Sequence, residues 1–249
     1  MNSQTAPLLK DADELQLQFD LLSLGGVPKT PPKAQAPPKA QAPPKAQAPP
    51  KAQAPPGDRV VVKESLKYRE YKEVRTFRDG RRKTYFHLGF SKDSRQWNDI
   101  EFSAGGILPY IWREGQLYLL VQLSDGVYDD FGGTAEEIDD SLSAVVFREF
   151  MEESNELFDK TLVNQALRDG KRVTIPASKY MLYISEFPAD VVSRLCATNA
   201  FGQRETCDDR AREVRLVKFN DPEFWQRAHV RLRSERSFIM RFLRSLEPK

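Results

Sequence analysis

The chain has 249 residues, of which 38 are Lys or Arg and 36 are Asp or Glu, for a formal net charge of +2. That balance argues against a protein whose main business is coating nucleic acid, and no apolar run approaches the ~18 residues of a membrane span. The two cysteines, Cys196 and Cys207, are too few for a disulfide framework and lack the partner spacing of a zinc site, so both read as reduced structural thiols.

The first seven residues lack a basic stretch followed by an apolar one, and a soluble, intracellular protein is expected, cytoplasmic with a nuclear location left open. Of the 15 Phe, 8 Tyr and 3 Trp, only Phe19 falls within the first 58 positions, which places the core after them. Residues 1–30 form a leader with a short apolar run (Leu15, Leu17, Phe19, Leu21, Leu22, Leu24) among acidic neighbours. It reads either as a docking peptide for a protein partner or as a short element folding back on the domain. Residues 31–58 repeat the hexamer Pro-Pro-Lys-Ala-Gln-Ala four times and end on a further Pro-Pro-Gly. Alanine is the only apolar side chain of that repeat, and its paired prolines deny backbone donors, so a disordered, extended spacer is expected. A ligand for a proline-recognising domain is the functional alternative.

Residues 59–249 are expected to form one domain. Residues 85–90 and 105–112 read as strands, the second interrupted by Pro109 as suits an edge or a bulge. Residues 118–123, 181–187 and 214–219 are three more. Helical periodicity runs over 141–155 and again over 234–246, where Phe238, Ile239, Phe242, Leu243 and Leu246 share a face. Strands and helices mix without regular alternation, which predicts an α+β class or an α/β/α sandwich.

The richest stretch is Phe131-Gly132-Gly133-Thr134, leading through the acidic loop 136–140 into Arg148-Glu149-Phe150-Met151-Glu152-Glu153. With Asp140 or Ser141 as N-cap, Glu149, Glu152, Glu153 and Glu156 fall on one helix face, while Leu142, Val145, Val146 and Phe150 seat the other. Like charges at that spacing repel, and a hard divalent cation such as Mg²⁺ or Mn²⁺ is their natural counterion. A solvated acidic face balanced by Arg148 is the plain alternative.

Taken whole, this string resembles the signature of the Nudix hydrolase superfamily: Gly, five residues, Glu, seven residues, Arg-Glu, an aliphatic, any residue, Glu-Glu, any residue, Gly, then an aliphatic. Gly133, Arg148, Glu149, Phe150, Glu152 and Glu153 match it. The Gly-to-Arg interval is one residue longer than the pattern, so Asp139 or Asp140 stands for the first Glu. Asn155 stands for the last Gly and Glu156 for the final aliphatic.

The resemblance implies a Nudix-like α/β/α sandwich with a mixed sheet, and hydrolysis of the pyrophosphate linkage of a nucleoside diphosphate joined to another group. It further implies catalytic roles for Arg148, Glu149, Glu152 and Glu153, and Mg²⁺ or Mn²⁺ held by Glu149, Glu152, Glu153 and the Gly132 carbonyl. A general base would come from Glu153 or from the loop acids Glu205, Asp208 and Asp209. The alternative is a catalytically lapsed domain that binds nucleotide or RNA, the extra loop residue having disabled the site.

Two segments are locally basic. Residues 63–83 hold nine Lys and Arg against four acids, and residues 227–249 hold seven against two. They suit a polyanion such as capped RNA or a diphosphoinositol, or else form ordinary amphipathic surface; a nucleotide-derived small molecule is the other substrate class. His87 and His229 are isolated and read as structural.

Overall fold

The computed structural model describes residues 59–64, 68–90, 98–205 and 209–247. The leader, the repeat and the boundary at 58/59 lie outside the described residues, as do Cys207 and Asp208. Strands β1 (Arg59–Glu64), β2 (Tyr68–Thr76), β3 (Arg82–Phe90) and β4 (Asn98–Phe102) form an antiparallel sheet in chain order.

The larger sheet is mixed. It contains β5 (Ala104–Arg113), β6 (Gln116–Ser124), β7 (Val127–Asp129), β8 (Phe131–Thr134), β9 (Lys171–Ile175), β10 (Tyr180–Glu186) and β11 (Glu213–Lys218), with main order β11-β6-β5-β10-β9. Strands β7 and β8 pair with β6 and β5, and β5 runs parallel to β10. The helices are α1 (Leu142–Glu153), α2 (Lys160–Asp169), α3 (Ala189–Ala197), α4 (Pro222–Arg227), α5 (Val230–Ser234) and α6 (Arg236–Ser245).

Alternation along the strands splits the larger sheet into two buried faces. Leu108, Tyr110, Leu119, Val121, Leu182 and Ile184 join one core cluster with Phe224, Trp225, Leu232, Ile239 and Leu243 from α4–α6. The opposite face carries Ile107, Ile111, Leu120 and Met181, all fully buried. On that side α1 packs against β5 and β8, and it is seated there by Leu142, Val145, Val146 and Phe150. Helices therefore flank a mixed sheet, and the α+β sandwich expected of a Nudix-like domain is present.

Beneath α1, the rings of Phe131, Phe150, Phe158, Phe187 and Phe201 form an aromatic cluster. Phe150 lies 5.5 Å from Phe131, 5.3 Å from Phe158 and 5.4 Å from Phe187, and Phe201 lies 6.1 Å from Phe158. This cluster ties the helix to β8 and to the loop that contains Phe201.

Three expectations change. Pro109 does not mark an edge, because β5 is the centre of the sheet. On one flank β5 pairs with β8 as far as Ile107 and with β6 only from Tyr110. The proline sits where that flank changes partner, a place where a missing donor is tolerated. Second, Glu156 is not on the helix. Asn155 and Glu156 both have positive φ (56° and 54°), α1 stops at Glu153, and the four-carboxylate face shrinks to three. Third, the basic segment 63–83 contains β2 and the start of β3, strands its charge density concealed. Among the described residues no helix is long and apolar enough to cross a membrane.

Candidate active site

Each end of α1 is fixed by side chains. At the start, the Ser141 hydroxyl accepts from the Ala144 N–H at 3.1 Å. The buried Glu70 carboxylate, from β2, accepts from the Leu142 N–H at 2.8 Å. An N-cap hydroxyl and a carboxylate thus satisfy orphan donors at the positive end of the helix dipole. At the other end the Glu156 N–H donates to Met151 O (2.7 Å) and the Asn155 N–H to Glu152 O (3.0 Å). That is a Schellman closure with Asn155 at the left-handed position where the family signature has Gly. The Asn155 amide then donates to Phe201 O at 2.6 Å and Arg204 O at 3.2 Å, which fastens the segment 201–204 to the helix end.

Arg148 organises the loop between β8 and α1. Its Nε and Nη2 donate to the two carboxylate oxygens of Asp139 at 3.1 and 3.0 Å, and Nη2 also donates to Thr134 O at 2.9 Å. Nη1 lies 3.0 Å from Glu149 and 3.1 Å from Glu152, with Glu136 at 3.8 Å. Asp139 is buried and also accepts from the Glu136 N–H, whereas Asp140 is exposed. Of the two adjacent acids it is therefore Asp139 that pairs with Arg148, and Asp140 and Ser141 lie ahead of the first helical turn. The bidentate pair with Arg148 is made in spite of the insertion.

The remaining glutamates lean on the glycine loop. Gly105 and Gly106 of β5 stand opposite Gly133 and Gly132 of β8. A side chain at Gly133 would overlap the Glu149 carboxylate, and one at Gly132 would overlap the Tyr180 hydroxyl and the Gly106 backbone. Glu153 is buried; its carboxylate accepts from the Gly132 N–H and, at 2.7 Å, from the Gln122 amide. Arg212, also buried, donates to the Glu153 carbonyl and, at 2.9 Å, to the Gln122 side-chain oxygen. Gln122 and Arg212 give no motif signal in the sequence, although the alternation of side chains along β6 places Gln122 on the same face as Leu120.

Burial raises the Glu153 carboxyl well above the ordinary carboxylate range, and the charges of Glu205, Asp130 and Glu149 add to the rise. Burial also raises Glu149, relieved in part by Arg148. Four carboxylates converge on the single guanidinium of Arg148, and their oxygens are donors of the kind hard divalent cations take. Among the described residues, the ligand atoms drawn within 4.8 Å of one another belong instead to Glu73, His87 and Glu101. There, Arg75 pairs with both carboxylates at 2.9 and 2.5 Å, and Lys179 with Glu101, so that cluster is already neutralised. Glu149 and Glu152 share one nitrogen of Arg148, Nη1, which bridges their carboxylates.

Of the loop acids, Glu205 is buried within reach of Glu153, whereas Asp209 is exposed and pairs with Arg204 at 3.3 Å. His87 is buried against Glu73 at 2.7 Å, and His229 caps α5; neither lies with the helix glutamates. Among the described residues, several side chains of the basic segments have local partners: Arg69 pairs with Asp99, Arg82 with Glu137 and Arg227 with Glu223, and Arg236 lies over the Trp225 ring.

A scan against protein-family models and a search of curated proteins give no match. Among solved structures, the chain is similar to a C. elegans Ap4A hydrolase in a binary complex, at 16% identity over 57% of this chain and 99% of that one, with a TM-score of 0.37. It is also similar to an ADP compounds hydrolase at 12% identity, over 76% and 92% of the two chains, with a TM-score of 0.30.

Proposed function

We propose that this chain is a divalent-metal-dependent Nudix-type hydrolase that cleaves the pyrophosphate linkage of a nucleoside diphosphate joined to another group. The observation that supports it best is the Asp139–Arg148 pair, which orients Glu149 and Glu152 while Glu153 is buried against the Gly132 N–H. In this reading Glu149, Glu152, Glu153 and the Gly132 carbonyl hold Mg²⁺ or Mn²⁺, which when bound neutralises phosphate charge and lowers the pKa of a water. Glu149 and Glu152 would offer such an ion oxygens that now face Arg148, while the bidentate pair with Asp139 would keep Arg148 in place. Glu153 or Glu205 then serves as the group that takes a proton from the attacking water. A nucleotide-derived small molecule fits the partly paired basic surface better than capped RNA does.

The test is a panel of ADP-ribose, dinucleoside polyphosphates, diphosphoinositols and capped RNA, each with Mg²⁺ and with Mn²⁺. At least one compound should release mono- or diphosphate products. Glu152→Gln should lower that release by more than about 100-fold, since even residues that only support a ligand cost ~10–100-fold, with the thermal transition retained. No release from any compound, or full activity in Glu152→Gln, refutes the reading. Silence with Mn²⁺ still bound would favour a lapsed, ligand-binding domain.

A further inference from the structure

A second ionic network lies behind the glycine loop, centred on Asp130, whose charge is also felt at Glu153. Asp130 separates β7 from β8 and its side chain has no solvent exposure. One carboxylate oxygen accepts from Arg231 Nε at 3.1 Å and Nη2 at 3.0 Å; the other accepts from the Tyr180 hydroxyl at 2.6 Å. Arg231, on α5, also pairs with Asp129 at 2.9 Å, and its guanidinium lies 4.2 Å from the centre of the Tyr180 ring. Arg231 thus holds both members of the Asp130–Tyr180 pair.

What that pair supports is the strand of the site. The Tyr180 hydroxyl fills the space that side chains at Gly106 and Gly132 would need, and the Asp130 carboxylate fills it at Gly106. Two residues past Asp130 comes the Gly132 N–H that meets Glu153, and next is Gly133, over which Glu149 lies. A buried carboxylate with both oxygens fixed sets the course of the backbone that follows it. Removing its charge partner leaves an unpaired buried charge, which the surrounding structure must move to relieve.

Resting on the hydrolase reading above, we propose that Arg231 is a positioning residue: through Asp130 and Tyr180 it fixes the Phe131–Gly133 backbone against which Glu149 and Glu153 are held. The C-terminal helical layer is thereby part of the site as well as part of the core. Arg suits the role better than Lys, because two nitrogens and a flat face are needed for the carboxylates and the ring together.

The test compares full-length wild type with Arg231→Met, Arg231→Lys and Tyr180→Phe. Mn²⁺ affinity is read from the spin-resonance signal of free Mn²⁺, and kcat and KM are measured separately. Arg231→Met should weaken Mn²⁺ binding and lower kcat by about 10–100-fold with little change in KM, as loss of a ligand-supporting partner does. Arg231→Lys should recover part of both, and Tyr180→Phe should show a smaller loss of the same kind. Leu243→Ala, in the same helical layer, controls for stability: its melting temperature should fall while Mn²⁺ affinity holds.

Folded Arg231→Met and Tyr180→Phe proteins that bind Mn²⁺ within about twofold of wild type overturn the proposal, since a supporting role predicts more. So does a Leu243→Ala loss as large as that of Arg231→Met. If Arg231→Met fails to fold, Arg231→Lys and Tyr180→Phe decide. A wild type that neither binds Mn²⁺ nor hydrolyses the panel refutes the hydrolase reading itself; an active wild type with unaffected variants refutes only the role of Arg231.

Discussion

Arg148 approaches four carboxylates but gives two nitrogens only to Asp139, and that asymmetry separates residues the sequence leaves equivalent. Asp139 and Asp140 stand side by side in the loop, and spacing alone offers either as the partner. Burial decides between them. Asp139→Asn should cut kcat/KM about 10–100-fold, as loss of an orienting contact does, whereas Asp140→Asn should stay within about twofold; equal effects in a hydrolysis assay would refute the assignment. A pH effect belongs to Asp129, which faces Asp130, Arg231 and His229. Burial, then the charge of Asp130, push it up to about 8 against the pull of Arg231. Its folded pKa therefore lies above the ~3.9 of an unfolded Asp. The stability it lends is fully present below that value and is lost as the pH rises through about 8. Asp129→Asn should raise the melting temperature in mildly alkaline buffer and change it little in acid; an equal loss at both would contradict this. Neither Asp130 nor Arg231 stands out in the sequence, because their partnership spans a hundred positions and follows no spacing rule.

Elements built on local pattern were the legible ones. Helix α1 follows from its apolar spacing and its Ser141 cap, and Asn155 from its tolerance of the left-handed conformation. What spacing could not reveal is that a second left-handed residue, Glu156, takes the fourth glutamate off the face. Strand β2 was hidden because Arg69, Tyr71, Glu73 and Arg75 alternate with Glu70, Lys72 and Val74, so its period-2 signal is mostly charge against charge. The C-terminal closure of α1 gives its own prediction. Asn155→Ala should lose two side-chain hydrogen bonds, at about 0.5–1.5 kcal/mol each, and add the strain of a left-handed alanine. Asn155→Gly loses only the hydrogen bonds. Urea unfolding should rank wild type above Gly and Gly above Ala, the last two separated by about 1 kcal/mol; Ala equal to Gly would contradict the closure described.

For the whole molecule, the prediction concerns residues 1–56. Every residue assigned to the candidate site lies beyond them, so their deletion should leave turnover of a small substrate nearly unchanged, and a large loss of kcat would implicate the leader in the site. The layered architecture was legible from the mix of strands and helices, but its topology was not. Pro109 suits an edge or a bulge, and of the two the edge fails, since β5 is paired on both flanks. Its neighbours β6 and β8 follow within thirty residues, whereas its parallel partner β10 aligns Tyr180 with Ala104, 180 − 104 = 76 positions later. During synthesis, β5 must therefore wait with one flank of hydrogen-bonding groups open until most of the domain has left the ribosome. For that interval the centre of the finished sheet is its most exposed edge, the kind of edge that recruits other chains. Aggregation of truncated or stalled products should concentrate in those that end between β8 and β10.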